Sequence, residues 1–591
     1  MPGARRALAG AVRAADDQEA TAPYNELVAG STGSTPSFQA EYVYPEALPE
    51  RSRHRWQVGE HSFRADFDSA NLADIRATAY PNEYQAWICR DCQGTPVETP
   101  HRTWFHFSVA GVKKGEPVTI TMMNMNKQAK LYAQDFRPVY RAHPSMQIWQ
   151  RLRTRVVAKL VGEDLTVQLS HCFESCEETF FAFATPWSCS DNQALLDRLE
   201  GRLASTSGHI GQAQPIYKKR QLLQRSLDGR PIDLLTITDN QGASTHPAPA
   251  APADVAGLFP EAESEGDCRT FPGRQVFFIS ARVHPGETPA SHMLNGMLEF
   301  LLRPHDPRAI ALRRLYVFKI VPMLNPDGVA RGYTRCDSRG QNLNRCYRAP
   351  SQAEQPGIWA VKQLLSWYAS HGQLAFYMDL HAHANKRGCF AYGNAMEGAA
   401  AVEALTFVKL AALNCPHFDF GACNFTEQNM SSRDKQGESK DGTGRVALFR
   451  ETSLTHLYTV EANYNSSRLQ NSVAAATTSG KEQVSPPSKL RQSAFYSMDS
   501  FWGMGRALLV AALDLSGTNS CSRLANTMFQ DTDGVASWVR SCVKEMVGRK
   551  HAAVPALSQT TSEGISELPN GMVTRMAALR LAATCPQGRW R

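Results

Sequence analysis

The sequence predicts an α/β domain, built on a mixed, largely parallel sheet with helices on both faces, preceded by an all-β sandwich domain. Three observations predict it. Residues 41–190 carry short β-branched and aromatic runs punctuated by turn residues. From about residue 191, apolar strand-like runs alternate with helical stretches. The chain has 591 residues, 42% of them hydrophobic and 20% charged, which leaves room for two buried cores.

In the β part, residues 104–109 alternate in part between apolar and polar. Residues 117–123 are rich in β-branched side chains and end at Asn124, and 180–183 form a short buried run. In the α/β part, 276–280, 315–322, 374–380 and 457–460 are strands. Residues 288–302, 356–370 and 501–515 are helices, the last with Gly503 and Gly505 near its start. Two insertions interrupt the pattern. Residues 242–266 are rich in Ala, Pro and acidic side chains, and 466–492 are polar and rich in Pro and Ser. Residues 1–40 lack periodicity and are expected to be disordered. The α/β domain then spans 191–520, and 521–591 form a partly disordered tail. No internal repeat is evident.

The formal charge of +7, spread over this length, implies no nucleic-acid partner and accommodates an acidic partner more easily than a basic one. No apolar run is long enough to span a bilayer. Residues 1–20 carry Arg5, Arg6 and Arg13 without a continuous apolar stretch before a cleavage site. The 14 cysteines show no framework spacing. The expectation is a monomer with free thiols in a reducing setting, cytosolic or nuclear, with neither nucleic-acid nor membrane partner. Cys89/Cys92 and Cys172/Cys176 have zinc-knuckle spacing, but a long stretch separates the pairs. Ordinary thiols are the expectation there.

The strand at 276–280 runs into Ala281-Arg282-Val283-His284-Pro285-Gly286-Glu287. Ligands in open α/β sheets gather beyond the carboxyl ends of strands. A Pro-Gly turn between His284 and Glu287 can aim an imidazole and a carboxylate at one centre. A catalytic zinc ion takes three N and O ligands and leaves one position open. The strand at 374–380 ends in Asp379-Leu380-His381-Ala382-His383 and supplies the third. His381 is the choice and His383 the alternative, with Asp379 as an outer partner. Each pattern alone is weak, since either histidine could be an ordinary core residue. Their joint placement at the ends of two parallel strands is specific. No His-Glu-x-x-His occurs, which excludes the helical zincin site. His106, His171 and His292 have no such context.

Five ordered motifs then carry a resemblance: His284-Pro285-Gly286-Glu287, Asn325-Pro326-Asp327-Gly328, Asn342-Leu343-Asn344-Arg345, Asp379-Leu380-His381-Ala382-His383 and Tyr458-Thr459-Val460-Glu461. Together they resemble the zinc carboxypeptidases of the carboxypeptidase A type. Met123-Asn124-Met125-Asn126-Lys127 in the β domain and Gly442-Thr443-Gly444-Arg445-Val446-Ala447 are similar to the cytosolic carboxypeptidase subfamily. The resemblance covers roughly residues 60–515. It implies one Zn2+ ion on His284, Glu287 and His381, and Glu461 as the base that activates water and protonates the leaving amine. It makes Arg335 the donor to the tetrahedral oxyanion. Asn344 and Arg345 become the grip on the substrate's terminal carboxylate, which a planar guanidinium binds bidentately.

Arg445 falls where the broader family lines its specificity pocket, so a cation there favours an acidic carboxy-terminal residue. Arg433, Lys435, Lys440 and Arg450 crowd the same segment, as pocket groups or as a solvated basic loop. The expected function is removal of glutamate from polyglutamylated proteins, chiefly tubulin and microtubules, and from other acidic-tailed proteins. It includes the branch-point glutamate joined through a γ-carboxyl. Long-chain trimming, removal of gene-encoded acidic ends, an inactive acidic-tail binding protein and a hydrolase of small N-acyl amino acids stay open as alternatives. Where the subfamily has His-Gly-His, this chain has Ala382, which is harmless unless that backbone needs positive φ.

Overall fold

The computed structural model describes residues 54–206, 216–243, 257–260, 268–434, 436–468, 470–477, 483–485 and 495–552. The segment 1–40 lies outside them, as do most of the 242–266 insertion and residues 553–591.

Two sheets enclose the core of the β domain. Six antiparallel strands run in the order Arg55–Val58, His61–Arg64, His106–Ala110, Glu178–Ala182, Val139–His143, Gln150–Arg151. The facing sheet has five, in the order Asp74–Ala77, Glu83–Trp87, Pro117–Met125, Asp164–Cys172, Val157–Val161. Only one of its pairs, Glu83–Trp87 with Pro117–Met125, is parallel. Along Pro117–Met125 the side chains of Val118, Ile120 and Met122 are buried while Thr119 and Thr121 are not, the period of two that a one-sided strand requires. Phe63, Phe67, Phe105, Phe107, Phe180 and Phe181 fill the space between the sheets. The all-β sandwich is as expected.

The second domain carries a seven-stranded sheet in the order Ile216–Arg225, Pro231–Asp239, Tyr316–Val321, Gln275–Ala281, Leu374–His383, Leu457–Asn463, Cys389–Tyr392. Its four central strands are parallel and its edges antiparallel. Tyr316–Val321 is buried throughout, and Gln275–Ala281 at all but its first residue, because helices cover both faces. One face packs against Cys189–Thr206, Thr288–Leu301, Gly398–Asn414 and Met498–Leu515, the other against Pro356–Ser370 and Gly444–Thr452. Thr288–Leu301 and Met498–Leu515 pack closely. A Cβ on Gly505 would lie 2.1 Å from Met293 O, and one on Gly296 2.3 Å from Trp502 Cα. Glycine at 505 thus seats the helix that follows Glu287.

The fold runs past residue 520. Helix Thr532–Ala552 buries Val535 and Val539 in the same core as Leu524. The tail expected from 521 therefore begins as part of the α/β domain. The 466–492 insertion is described in part: Val473 and Ala476 are buried, and Asn471 Nδ2 donates to Ala412 O, Cys415 O and Phe418 O.

Candidate metal centre

The register of three parallel strands assembles the site. Ser280 pairs with Asp379, Asp379 with Thr459, and His381 with Glu461. Alternation puts Met378, Leu380, Val460 and Ala462 into the core on one face. Asp379, His381 and Glu461 consequently share the other face, at the strands' carboxyl ends. Beyond Gln275–Ala281 the chain turns sharply at Arg282, in the left-handed conformation at φ 59°. Its buried guanidinium holds the turn by donating to Trp187 O, Pro285 O and Ser291 Oγ. That turn delivers His284 and Glu287.

Ligand atoms of His284, Glu287 and His381 lie within 4.8 Å of one another, and among the described residues they form the one such group able to hold a metal. His284 Nδ1 is 2.9 Å from Glu287 Oε1, and His381 Nδ1 is 3.0 Å from Glu287 Oε2. The far nitrogens have other partners: His284 Nε2 sits 3.0 Å from Asn342 Oδ1, and His381 Nε2 sits 2.7 Å from Asp379 Oδ2. With Nε2–H donated outward, each ring presents its Nδ1 lone pair to a carboxylate. Acceptors that face one another at this range hold a cation between them, a proton on His381 Nδ1 or a metal ion, and two imidazoles with one carboxylate suit zinc. The residues fit the ion that the resemblance implies.

Burial opposes charge on both rings. It pushes His284 down to about 4, helped by Arg335. For His381 the carboxylates of Asp379 and Glu287 outweigh burial and raise it. Ser280 Oγ donates to Asp379 Oδ1 at 2.9 Å, fixing the carboxylate behind His381. Glu461 is pushed up to about 7, above all by burial, and its Oε2 is buried without a hydrogen-bond partner. The fallback ligand His383 lies outside the cluster, its Nδ1 taken by Asn385 N and Lys386 N. Ala382 lies within Leu374–His383, outside the left-handed region, and its N–H donates to Glu287 Oε2 at 2.8 Å. The methyl that replaces glycine therefore costs no strain.

Asn344 and Arg345 stand beside the cluster. Asn344 Nδ2 is 3.3 Å from His381 Nε2, and its Oδ1 accepts from Gly444 N. Arg345 donates to Asp434 and keeps Nε buried and unpartnered. The guanidinium of Arg335 makes no protein hydrogen bond or ion pair among the described residues, yet its charge acts on His284, Arg345 and Glu461. Arg445 is 3% exposed and donates only to neutral oxygens, Gly393 O, Asn394 Oδ1 and Asn429 Oδ1.

Lys440 has no carboxylate partner among the described residues. Burial, then the charges of Arg345 and Arg445, push its pKa down, while Glu461 acts the other way. Nearby Arg433 and Arg450 are tied to Gly437 O and Glu427, and Lys435 lies outside the described residues. The sequence singled out neither Asn342 nor Lys440 for a role. Asn342 lay inside a quoted motif, and Lys440 was one of several basic residues in its segment. The two Cys pairs form no metal group, and the 13 described cysteines are free thiols.

Comparisons with known proteins agree with this geometry. A zinc carboxypeptidase family model matches residues 208–400, and a cytosolic carboxypeptidase N-terminal domain model matches 63–183. Cytosolic carboxypeptidase-like protein 5 of Rattus norvegicus is 35% identical over 611 residues, covering 84% of this chain and 73% of that one. Cytosolic carboxypeptidase 6 of Caenorhabditis elegans is 31% identical over 434 residues, covering 72% and 82%. A metallo-carboxypeptidase from Burkholderia cenocepacia shares the fold at TM-score 0.53 and 19% identity, covering 78% of this chain and 99% of that one. Among the described residues no helix is long and apolar enough to cross a membrane. A β sandwich joined to an α/β sheet that gathers two imidazoles and a carboxylate at its strand ends is thus matched in both halves, and the chain belongs to the cytosolic carboxypeptidases, a branch of the zinc metallocarboxypeptidases.

Proposed function

We propose that this enzyme removes glutamate from the ends of acidic chains, polyglutamylated tubulin and microtubules among them, including the branch-point glutamate. One observation carries the reading: Arg445 and Lys440, close enough to repel each other, both lack a carboxylate partner among the described residues. A buried cation without a counter-ion is costly, and an incoming glutamate side chain would supply one. The same pair suits any acidic carboxy-terminal residue. Chain trimming and branch-point removal both present such an end.

The proposed roles are those the family resemblance implies, and the arrangement of the side chains is compatible with them. A zinc ion on His284, Glu287 and His381 would acidify water and polarise the scissile carbonyl. Arg345 and Asn344 bind the substrate's terminal carboxylate and orient the bond. Glu461 Oε2 accepts the proton of the attacking water and returns it to the leaving nitrogen. Burial favours its protonated form, which helps it hold the proton before passing it to the leaving nitrogen. Arg335 donates to the oxygen that gains charge.

Mass spectrometry of modified tubulin tails after incubation with the parent and with Glu461→Gln tests the reading. Release of free glutamate by the parent alone, abolished by a zinc chelator, is expected. Binding to the tails without release would make the protein an acidic-tail binder instead.

A further inference from the structure

Asp91 belongs to the β domain, far in sequence from every motif of the site. Its carboxylate reaches across the domain boundary and accepts three consecutive backbone N–H groups. Thr334 donates to Oδ1 at 2.6 Å, and Arg335 and Cys336 donate to Oδ2 at 2.8 and 2.9 Å. Asp91 is fully buried. It is itself held by two backbone bonds, its N–H to His101 O and its O from Thr99 N. On the other side, Thr334 Oγ1 accepts from Thr103 N and Trp104 N at 2.9 and 3.1 Å, so the β domain grips this loop at two points. Thr334 O in turn accepts from Gly286 N at 3.0 Å, inside the turn that carries His284 and Glu287. A Cβ at Gly286 would lie 2.9 Å from that oxygen, so this contact is close.

Among the described residues the guanidinium of Arg335 has no hydrogen-bond or ion-pair partner to hold it, so its position there is set through its backbone. We infer that Asp91 is a positioning residue for Arg335, making the β domain a structural part of the active centre rather than an appended module. This rests on the oxyanion role proposed for Arg335. A carboxylate is suited to the task because it is acceptor-only and spans three parallel donors. An amide in its place turns one acceptor into a donor aimed at N–H groups.

The test measures kcat and KM of the zinc-loaded full chain on a glutamate-ended peptide, for the parent, Asp91→Asn, Arg335→Ala and the double variant. Arg335→Ala is expected to lower kcat about 10²–10³-fold. Asp91→Asn is expected to lower kcat about 10–100-fold with KM within about 3-fold, the pattern of an interaction made only in the transition state. In the Arg335→Ala background it should cost less than about 2-fold more, because residues acting through one another are non-additive.

Asp68→Asn is the control for a merely structural role. Asp68 is another buried β-domain carboxylate, which accepts from Ser190 N and Oγ and not from the loop of Arg335. That variant should lower Tm and leave kcat alone. Should Asp91→Asn fail to fold, Thr334→Val removes the second grip of the β domain on the same loop and should behave likewise. Parental kcat in Asp91→Asn, or losses that add to those of Arg335→Ala, overturns the inference and leaves the role of Arg335 standing. Parental kcat in Arg335→Ala overturns that role and the inference with it.

Discussion

Glu461 is the direct cross-strand neighbour of His381 in the parallel pair Leu374–His383 and Leu457–Asn463. Two side chains at paired positions on one sheet face stand side by side, so the proposed base is set next to the metal ligand by sheet register alone. A slip of one residue would send Glu461 into the apolar core that holds Val460 and Ala462.

Glu461→Gln keeps shape and packing but removes the proton acceptor. It should lower kcat about 10²–10⁴-fold. Zinc content, measured by elemental analysis, should match the parent, because Glu461 is outside the ligand group. Loss of zinc together with activity would move Glu461 from base to ligand.

Asp379 fixes His381 through Nε2 at 2.7 Å. Asp379→Ala should weaken zinc binding about 10–100-fold, read by competition with a chromogenic chelator. Unchanged affinity would show that His381 keeps its orientation without this partner.

Arg445→Ala and Lys440→Ala should each erode the preference for glutamate-ended over leucine-ended peptides. A lost charge-assisted contact is worth roughly 1.5–3 kcal/mol, or about 10–100-fold in kcat/KM ratio. A preference unchanged in both variants removes these residues from the pocket.

Stability should fall in acid. Burial holds His106 at about 3, and His292 at about 4 with Thr185 O as its partner. Both values lie below the unfolded pKa, so the unfolded chain takes up protons first. Stability from this source is fully present above about pH 6.5 and is lost as pH drops toward 4 and 3. The slope is about 1.4 kcal/mol per pH unit for each ring. Asp91, pushed up to about 6, and Glu461, pushed up to about 7, both chiefly by burial, work in the opposite direction and offset part of the loss. Urea midpoints at pH 7 and pH 5, taken for the parent and for His292→Gln, isolate the share of this ring, and the variant should lose less stability on going to pH 5. An equal change in the two proteins contradicts the assignment.

The chain itself announced the strand that leads into His284 and the strands that carry His381 and Glu461. Continuous apolar runs ending in His, Glu or Asp are legible because a sheet covered on both faces needs apolar side chains at nearly every position. Helix Thr532–Ala552 was not legible, since beyond residue 520 its polar face outweighs the few residues, Val535 and Val539 among them, that it buries. The ligand triad was likewise readable from its spacing and motifs, and so was Asp379 as partner of His381.

What the linear order could not show is which cations go unpaired. Arg345 meets Asp434, and Arg450 meets Glu427, whereas Arg445 and Lys440 meet no carboxylate among the described residues. Nor could it show that Asp91, in another domain, holds the backbone of Arg335. Strand identity and ligand chemistry follow from local composition and periodicity, which the amino-acid order contains. Pairing of charges and clamping across a domain boundary depend on distances between remote segments, and only packing of the two cores against each other sets those.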